Sequence, residues 1–215
     1  MPQTFNYILK SIYYVSLLYF SYLMILITAQ YVPLKLDVAF LNVKDDVIGY
    51  KHYQIAFFSH VYTSIFTLLL GIPQFSSSVR LQFPTLHKNL GKLYILLILC
   101  VASPSGLVMA FYANGGVYSK ISFTLQAILW FVFTYKAYTF AKEKNWIQHK
   151  KFMYRSYALT LSAISLRLFK WIIVSTIALP PMDTYKIVSW LGWLVNLILV
   201  ELYLINRVKP SKKTV

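Results

Sequence analysis

Three histidines and one arginine carry most of the chemistry that this sequence could do. His87 opens an apolar run after RLQFPTL, and His149 opens another, HKKFMYRSYALTLSAISLRLFKW. Each is followed eighteen residues later by a polar side chain, Ser105 after His87 and Arg167 after His149. Eighteen residues are five turns of an α-helix, so each pair lies on one helical stripe. Two neutral imidazoles at one depth on parallel helices can ligate the iron of a haem b from opposite faces, while nearby arginines neutralise the propionates. His87 and His149 meet those conditions, with Arg80 and Arg155 as the neighbouring cations. The same two histidines are the metal-ligand candidates. A three-histidine metal centre would also need His60. The rise per residue puts His60 about 20 Å from the end of its own helix that lies level with the other two.

Arg167 raises a different question. A charge at the bilayer centre costs at least about 2.5–3.5 kcal/mol, so a guanidinium there must face protein, water or a ligand. His60 and Gln74 lie fourteen residues apart on nearly one face of a preceding run, with Ser64, Thr67 and Gly71 between them. Sorting by depth predicts two polar layers. The inner one gathers Gln74, His87 and His149, with Arg80 and Arg155 at its edge. The outer one gathers His60, Ser105 and Arg167, joined by Gln126 or Trp130. Arg167 is then expected to point into the bundle, where hydroxyls, carbonyls or a bound anion satisfy it. Three functional readings follow: a haem-binding membrane electron-transfer protein using His87 and His149, a non-catalytic accessory or assembly subunit with interfacial histidines, or a small-molecule or anion transporter using Arg167.

The elements that must position these residues are membrane spans. Of the 215 residues 58% are hydrophobic, 18% aromatic and only 13% charged, about half the charged share of a soluble domain. Apolar runs of about 20 residues, each long enough to cross the hydrocarbon core, recur at about 8–29, 52–73, 88–113, 120–141, 151–178 and 185–205. The expected fold is all-α: a polytopic membrane protein of six transmembrane helices forming one domain over 1–215, with a core bundle from the second to the fifth. The first run, with Lys10 near its start, is too long for a signal-peptide core and is expected to remain as an anchor. The segment 30–51 is expected to make a short surface helix. Lys136 and Lys170 can reach an interface by snorkelling, Cys100 is alone, and Gly71, Ser105 and Gly106 permit close helix contact.

Orientation follows from lysine and arginine placement. Arg80, Lys88, Lys92, Lys142, Lys144, Lys150, Lys151, Arg155, Arg207, Lys209, Lys212 and Lys213 fall on one side; Lys35, Lys44, Lys51, Lys120 and Lys186, diluted by Asp37, Asp45, Asp46 and Asp183, fall on the other. Both termini are expected in the cytoplasm, in a multi-pass protein of the inner (plasma) membrane whose partners are the lipid bilayer and protein subunits of a membrane complex. The formal charge of +15 is accounted for by basic loops facing an anionic leaflet and calls for no nucleic acid.

The strings HVYTSIFTLLLGIPQF, RLQFPTLHKNLGKLY, SGLVMAFYANGG and HKKFMYRSYALTLSAISLRL occur in this order over about residues 55 to 170. Together they resemble the signature of the domain of unknown function 2306 family of predicted bacterial membrane proteins. The resemblance implies that His60, Gln74, Phe75, Arg80, His87, Gly91, Tyr94, Gly106, Trp130, His149, Met153, Arg155 and Arg167 fall on signature positions; it implies no activity. Phe152 stands where that pattern favours tryptophan. In architecture the chain is also similar to the six-helix, ascorbate-reducible dihaem cytochromes b. Those take one ligand pair from their third and fifth helices near the cytoplasmic face and a second from the second and fourth. Here residues 120–141 contain no histidine to pair with His60, so that similarity implies at most one bis-histidine haem.

Overall fold

Long runs of Leu, Ile, Val, Phe and Tyr leave a backbone without water to bond, and each run closes its hydrogen bonds within itself as a helix. The structure, a computed structural model, describes residues 3–207, and of residues 3–7, 9, 10 and 207 the backbone only. The Lys10 and Arg207 side chains, Lys209, Lys212, Lys213 and the two chain ends invoked for orientation lie outside the described residues. Within them the elements are α1 (Gln3–Ala29), a 3-10 turn (Ala39–Val43), α2 (Lys51–Gln74), α3 (Ser77–Gln82), α4 (Pro84–Leu97), a π turn (Ile98–Ala102), α5 (Ser103–Phe111), α6 (Gly116–Lys142), α7 (Trp146–Thr160), α8 (Ser162–Thr176) and α9 (Pro181–Arg207). No strand occurs among the described residues.

In α1, α2, the unit from α4 through α5, α6 and α9 the chain is long and apolar enough to cross a membrane; α7 and α8 together pass the same test as one span bent by 42°. The local causes of the breaks are legible. Pro84 sits at the first position of α4, where its missing N–H leaves no bond unmade. Gly115 takes a left-handed φ of 83° before α6, a conformation that costs glycine little. Asn145 caps α7 by accepting from the Gln148 N–H at 3.2 Å.

Helix α6 packs along α7, α8 along α9, and α2 against α4 and α5. One buried cluster centres on Tyr94, Ile98, Trp130, Met153, Tyr157 and Trp193. Where Gly71 of α2 meets α7, a Cβ would lie 2.0 Å from Tyr157 Cε2, so only a hydrogen fits there. Packing of this kind, rather than exclusion from water, holds helices together in lipid. The expected core of the second to fifth spans needs one correction: α9 is part of it, burying Val188, Ser189 and Trp193. By contrast α1 touches, among the described residues, only the helices α2 and α8 and turns Ile12, Val15, Leu18, Tyr19 and Tyr22 outward.

The segment before α2 also departs from expectation. Its only helical turn is the 3-10 turn, and while Val32, Leu34, Leu36, Val43 and Tyr50 stay exposed, part of the segment is tucked into the bundle end. Leu41 and Val47 pack with Tyr31, Tyr53, Phe57 and Phe58 in a second buried cluster. Burial among these aromatic rings removes the apolar surface of Leu41 and Val47 from water.

Candidate functional site: a polar cavity between α2, α5, α6 and α8

The site begins with a proline. Pro104 has no N–H, so a carbonyl one turn earlier loses its α-helical partner, and the chain accommodates this with the π turn at Ile98–Ala102. A π turn takes up one extra residue. Nineteen residues rather than eighteen therefore make the five turns above His87, and Gly106 rather than Ser105 completes its stripe. Ser105, expected in the outer layer, instead turns back on its own helix, donating to the Val101 carbonyl at 2.6 Å and the Ala102 carbonyl at 3.2 Å.

The Ala102 carbonyl also receives His60 Nδ1 at 2.8 Å. A carbonyl can only accept, so Nδ1 carries the proton and Nε2 of the neutral ring presents a lone pair. Gly106 makes this seat possible: a Cβ there would come within 2.9 Å of His60 Cε1. The imidazole stands edge-on to Trp130, with ring centroids 6.4 Å apart.

Beside this ring lies a cavity of about 220 Å³, whose polar wall includes His60, Ser64, Gln126, Trp130, Thr160 and Arg167. Arg167 lies on the wall of this cavity and is also an exposed residue. Nη1 donates to the Ala163 carbonyl of its own helix at 2.8 Å. The ion pairs among the described residues are Arg155 with Glu201 and Lys186 with Asp183, so no carboxylate neutralises Arg167. Ser64 Oγ is buried with no hydrogen-bond partner, while Gln126 Nε2 donates to Ser162 Oγ at 2.5 Å.

Lys44 closes the cavity at the end nearest the 30–50 segment, a role that sequence reading missed. It is 1% exposed, donates to the Tyr112 carbonyl and, at 2.6 Å, to Asn114 Oδ1, and lies over the rings of Phe40 and Tyr53. Burial pulls its ammonium below the usual lysine pKa, against an upward pull from Asp46 and with a smaller downward push from Lys120. In the sequence it is one lysine of a mixed loop, and no periodicity marks it.

Toward the other end the polar groups satisfy one another. Tyr94 OH meets Ser156 Oγ and Thr160 Oγ1, each at 2.9 Å; Trp130 Nε1 donates to Thr160 Oγ1 at 3.1 Å; Thr134 Oγ1 meets Ser156 Oγ at 2.7 Å. Beyond this cluster is the expected inner layer. With its amide nitrogen toward α4, Gln74 donates to the His87 carbonyl at 3.3 Å and accepts from Gly91 N at 3.2 Å. His87 and His149 each precede by seven residues the side chains that touch, Tyr94 and Ser156, so the facing sides of α4 and α7 carry both rings. Each half-buried ring lies within the other's electrostatic reach, and exposed Arg80 within reach of His87.

His149 Nδ1 donates to the Ala137 carbonyl at 2.8 Å. Such a bond leaves Nε2 without a partner and is one that ligating histidines commonly make. Arg155 does not join it. Its Nε and Nη2 donate to Glu201 at 2.5 and 2.9 Å, and its guanidinium packs on Phe152, 4.9 Å from the centroid. Among the described residues no group of three or more His, Cys, Asp or Glu side chains comes together as a metal site.

No curated protein and no solved structure matches this chain. One family profile does, described as "Predicted membrane protein (DUF2306)", over residues 57–204. That stretch runs from the first turns of α2 into the last turn of α9 and includes His60, Arg167 and the His87/His149 pair. A match over most of the chain, on a bundle whose helices are those of a membrane protein, places it: the chain belongs to the DUF2306 family of predicted membrane proteins.

Proposed function

We propose that this membrane protein binds a small organic anion in the His60/Arg167 cavity and acts as a carrier for it. The observation that carries the reading is an arginine on the wall of a cavity inside the bundle, with one hydrogen bond, to its own helix, and no carboxylate partner among the described residues. An unneutralised cation in a span is expensive and marks a substrate or ion path. A carboxylate would take two of the four N–H positions left empty, in the bidentate geometry that guanidinium favours. A dry cavity of about 150 Å³ already admits a benzene ring, so the space here suits a ring-sized or branched monocarboxylate. Met109, Phe123, Leu159 and Leu166 line the remainder with apolar surface.

The test is thermal unfolding of the detergent-purified protein in benzoate against equal chloride. Saturation at a hundred times the dissociation constant stabilises by about 2.7 kcal/mol. Benzoate should raise the melting temperature of the wild type and leave Arg167→Met unmoved; an equal rise in both would remove Arg167 from the site. The basic asymmetry of the loops favours an inner-membrane orientation with the cavity end outside and both termini in the cytoplasm. A reporter fused after Val215 that is active only outside would reverse it.

A second reading has its own support in the facing His87 and His149 and the Nδ1 bond that prepares His149. Under it the two Nε2 atoms would hold one haem b, with Arg80 near a propionate, and the protein would pass electrons. Protein that stays colourless when expressed with ample haem ends that reading; a low-spin reduced spectrum lost in His87→Ala and His149→Ala but kept in His60→Ala supports it.

A further inference from the structure

We infer that the cavity takes up its anion together with one proton, which sits between the anion and His60 Nε2. The inference rests on the anion-binding reading above and adds the coupling ion. Its ground is the fixed tautomer. Because Nδ1 is committed to the Ala102 carbonyl at 2.8 Å, and Gly106 and Trp130 hold the ring in place, the ring cannot turn its N–H toward the cavity. The atom left for a ligand is Nε2 with its lone pair. An anionic oxygen drawn in by Arg167 would meet that lone pair with repulsion between two acceptors. A proton between them turns the same contact into a charge-assisted hydrogen bond, one of the stronger kinds in proteins.

The surrounding groups offer no other proton acceptor of suitable kind. The titratable or charged side chains on the cavity wall are Tyr53 on α2, Lys44 on the segment before it, Arg167 on α8 and Tyr185 on α9. From α5 and α6 the wall is built of Gly106, Met109, Phe123, Gln126 and Trp130, none of which titrates, and no aspartate or glutamate is among the lining residues. Lys44 is tied to Tyr112 and Asn114. Tyr31 lies within electrostatic reach of Arg167 and is bonded to the Phe40 N–H. The exchange is balanced: at neutral pH a carboxylic acid is ionised in water, so the anion enters from solution, the proton comes from bulk water, and both leave together. A carrier with this site moves an acid as its ions yet transfers little net charge.

Isothermal titration with benzoate at one neutral pH, repeated in buffers of different ionisation enthalpy, reads the protons taken up directly. The wild type should take up about one proton per benzoate, and its affinity should fall about tenfold per pH unit as pH rises above neutrality. His60→Asn keeps an amide N–H for the Ala102 carbonyl and removes Nε2; it should bind benzoate without proton uptake and without that pH slope. If His60→Asn does not fold, the wild-type buffer series alone decides. Wild-type binding with no proton uptake overturns the proton and leaves the anion site standing. Uptake that persists in His60→Asn overturns the assignment to His60. No benzoate binding by the wild type overturns the anion site, and this inference with it.

Discussion

The two helices of the bent α7–α8 pair carry one arginine each and treat it in opposite ways. On α7, Arg155 makes two hydrogen bonds to Glu201 of α9 and lies against Phe152. On α8, Arg167 reaches only the Ala163 carbonyl of its own helix and faces a cavity. Their surroundings follow suit. Near Arg155, Tyr94, Ser156, Thr160 and Thr134 satisfy one another in a closed cluster. Near Arg167, Ser64 Oγ has no partner. The contrast separates two uses of the same side chain. A paired guanidinium fastens helices together, whereas one left with vacant donors beside empty space is stabilised only by what enters that space.

The largest expected effect breaks the closed half. Gly71→Ala drives a methyl group to 2.0 Å from Tyr157 Cε2, and overpacking of that severity costs about 3 kcal/mol, seen as a lower midpoint of unfolding in detergent. A Gly71→Ala protein as stable as the wild type would mean that α2 and α7 are not pressed together. Glu201→Gln comes next. It removes the countercharge of Arg155, and with Glu201 43% exposed the loss should be about 1–2 kcal/mol. Tyr94→Phe should cost about 1 kcal/mol, because Ser156 and Thr160 keep Thr134 and Trp130 as partners. The smallest effect on stability belongs to Arg167→Met. Exchange of an uncompensated charge for an apolar side chain is neutral or stabilising, so the unfolding midpoint should hold while stabilisation by benzoate disappears. Arg167→Met destabilising as much as Glu201→Gln would erase the contrast between the halves.

What could be read from the residues alone was whatever depends on run length and helical period. The five candidate crossings, six if α7 and α8 form one span, follow from the length of apolar runs, and α4 through α9 begin or end within about five residues of expectation. The expectation that Arg167 points inward comes from the cost of the alternative, and Arg167 is among the residues that line the cavity. The contact of Gln74 with the first turns of α4 follows from spacing on straight helices. Reading failed where geometry departs from period or where a partner is distant in the chain. Ser105 was displaced by one residue at the π turn, for which Pro104 was the visible cause. Arg155 found Glu201 forty-six positions away, on a helix expected to be peripheral. Lys44 entered the bundle on a loop whose apolar neighbours, Leu41 and Val47, drew it in.

The π turn at Ile98–Ala102 makes the site sensitive to a kind of change that membrane topology tolerates. Removing its cause, as in Pro104→Ala, would let the helix run straight with every residue kept, and the span, longer than a bilayer requires, would still insert. Everything after the straightened turn would rotate by about 100° relative to the residues before it. Ser105 would then arrive where Gly106 now admits His60, and a side chain would occupy the gap that a bare backbone leaves open. Such a change would pass every test of membrane assembly while closing the cavity.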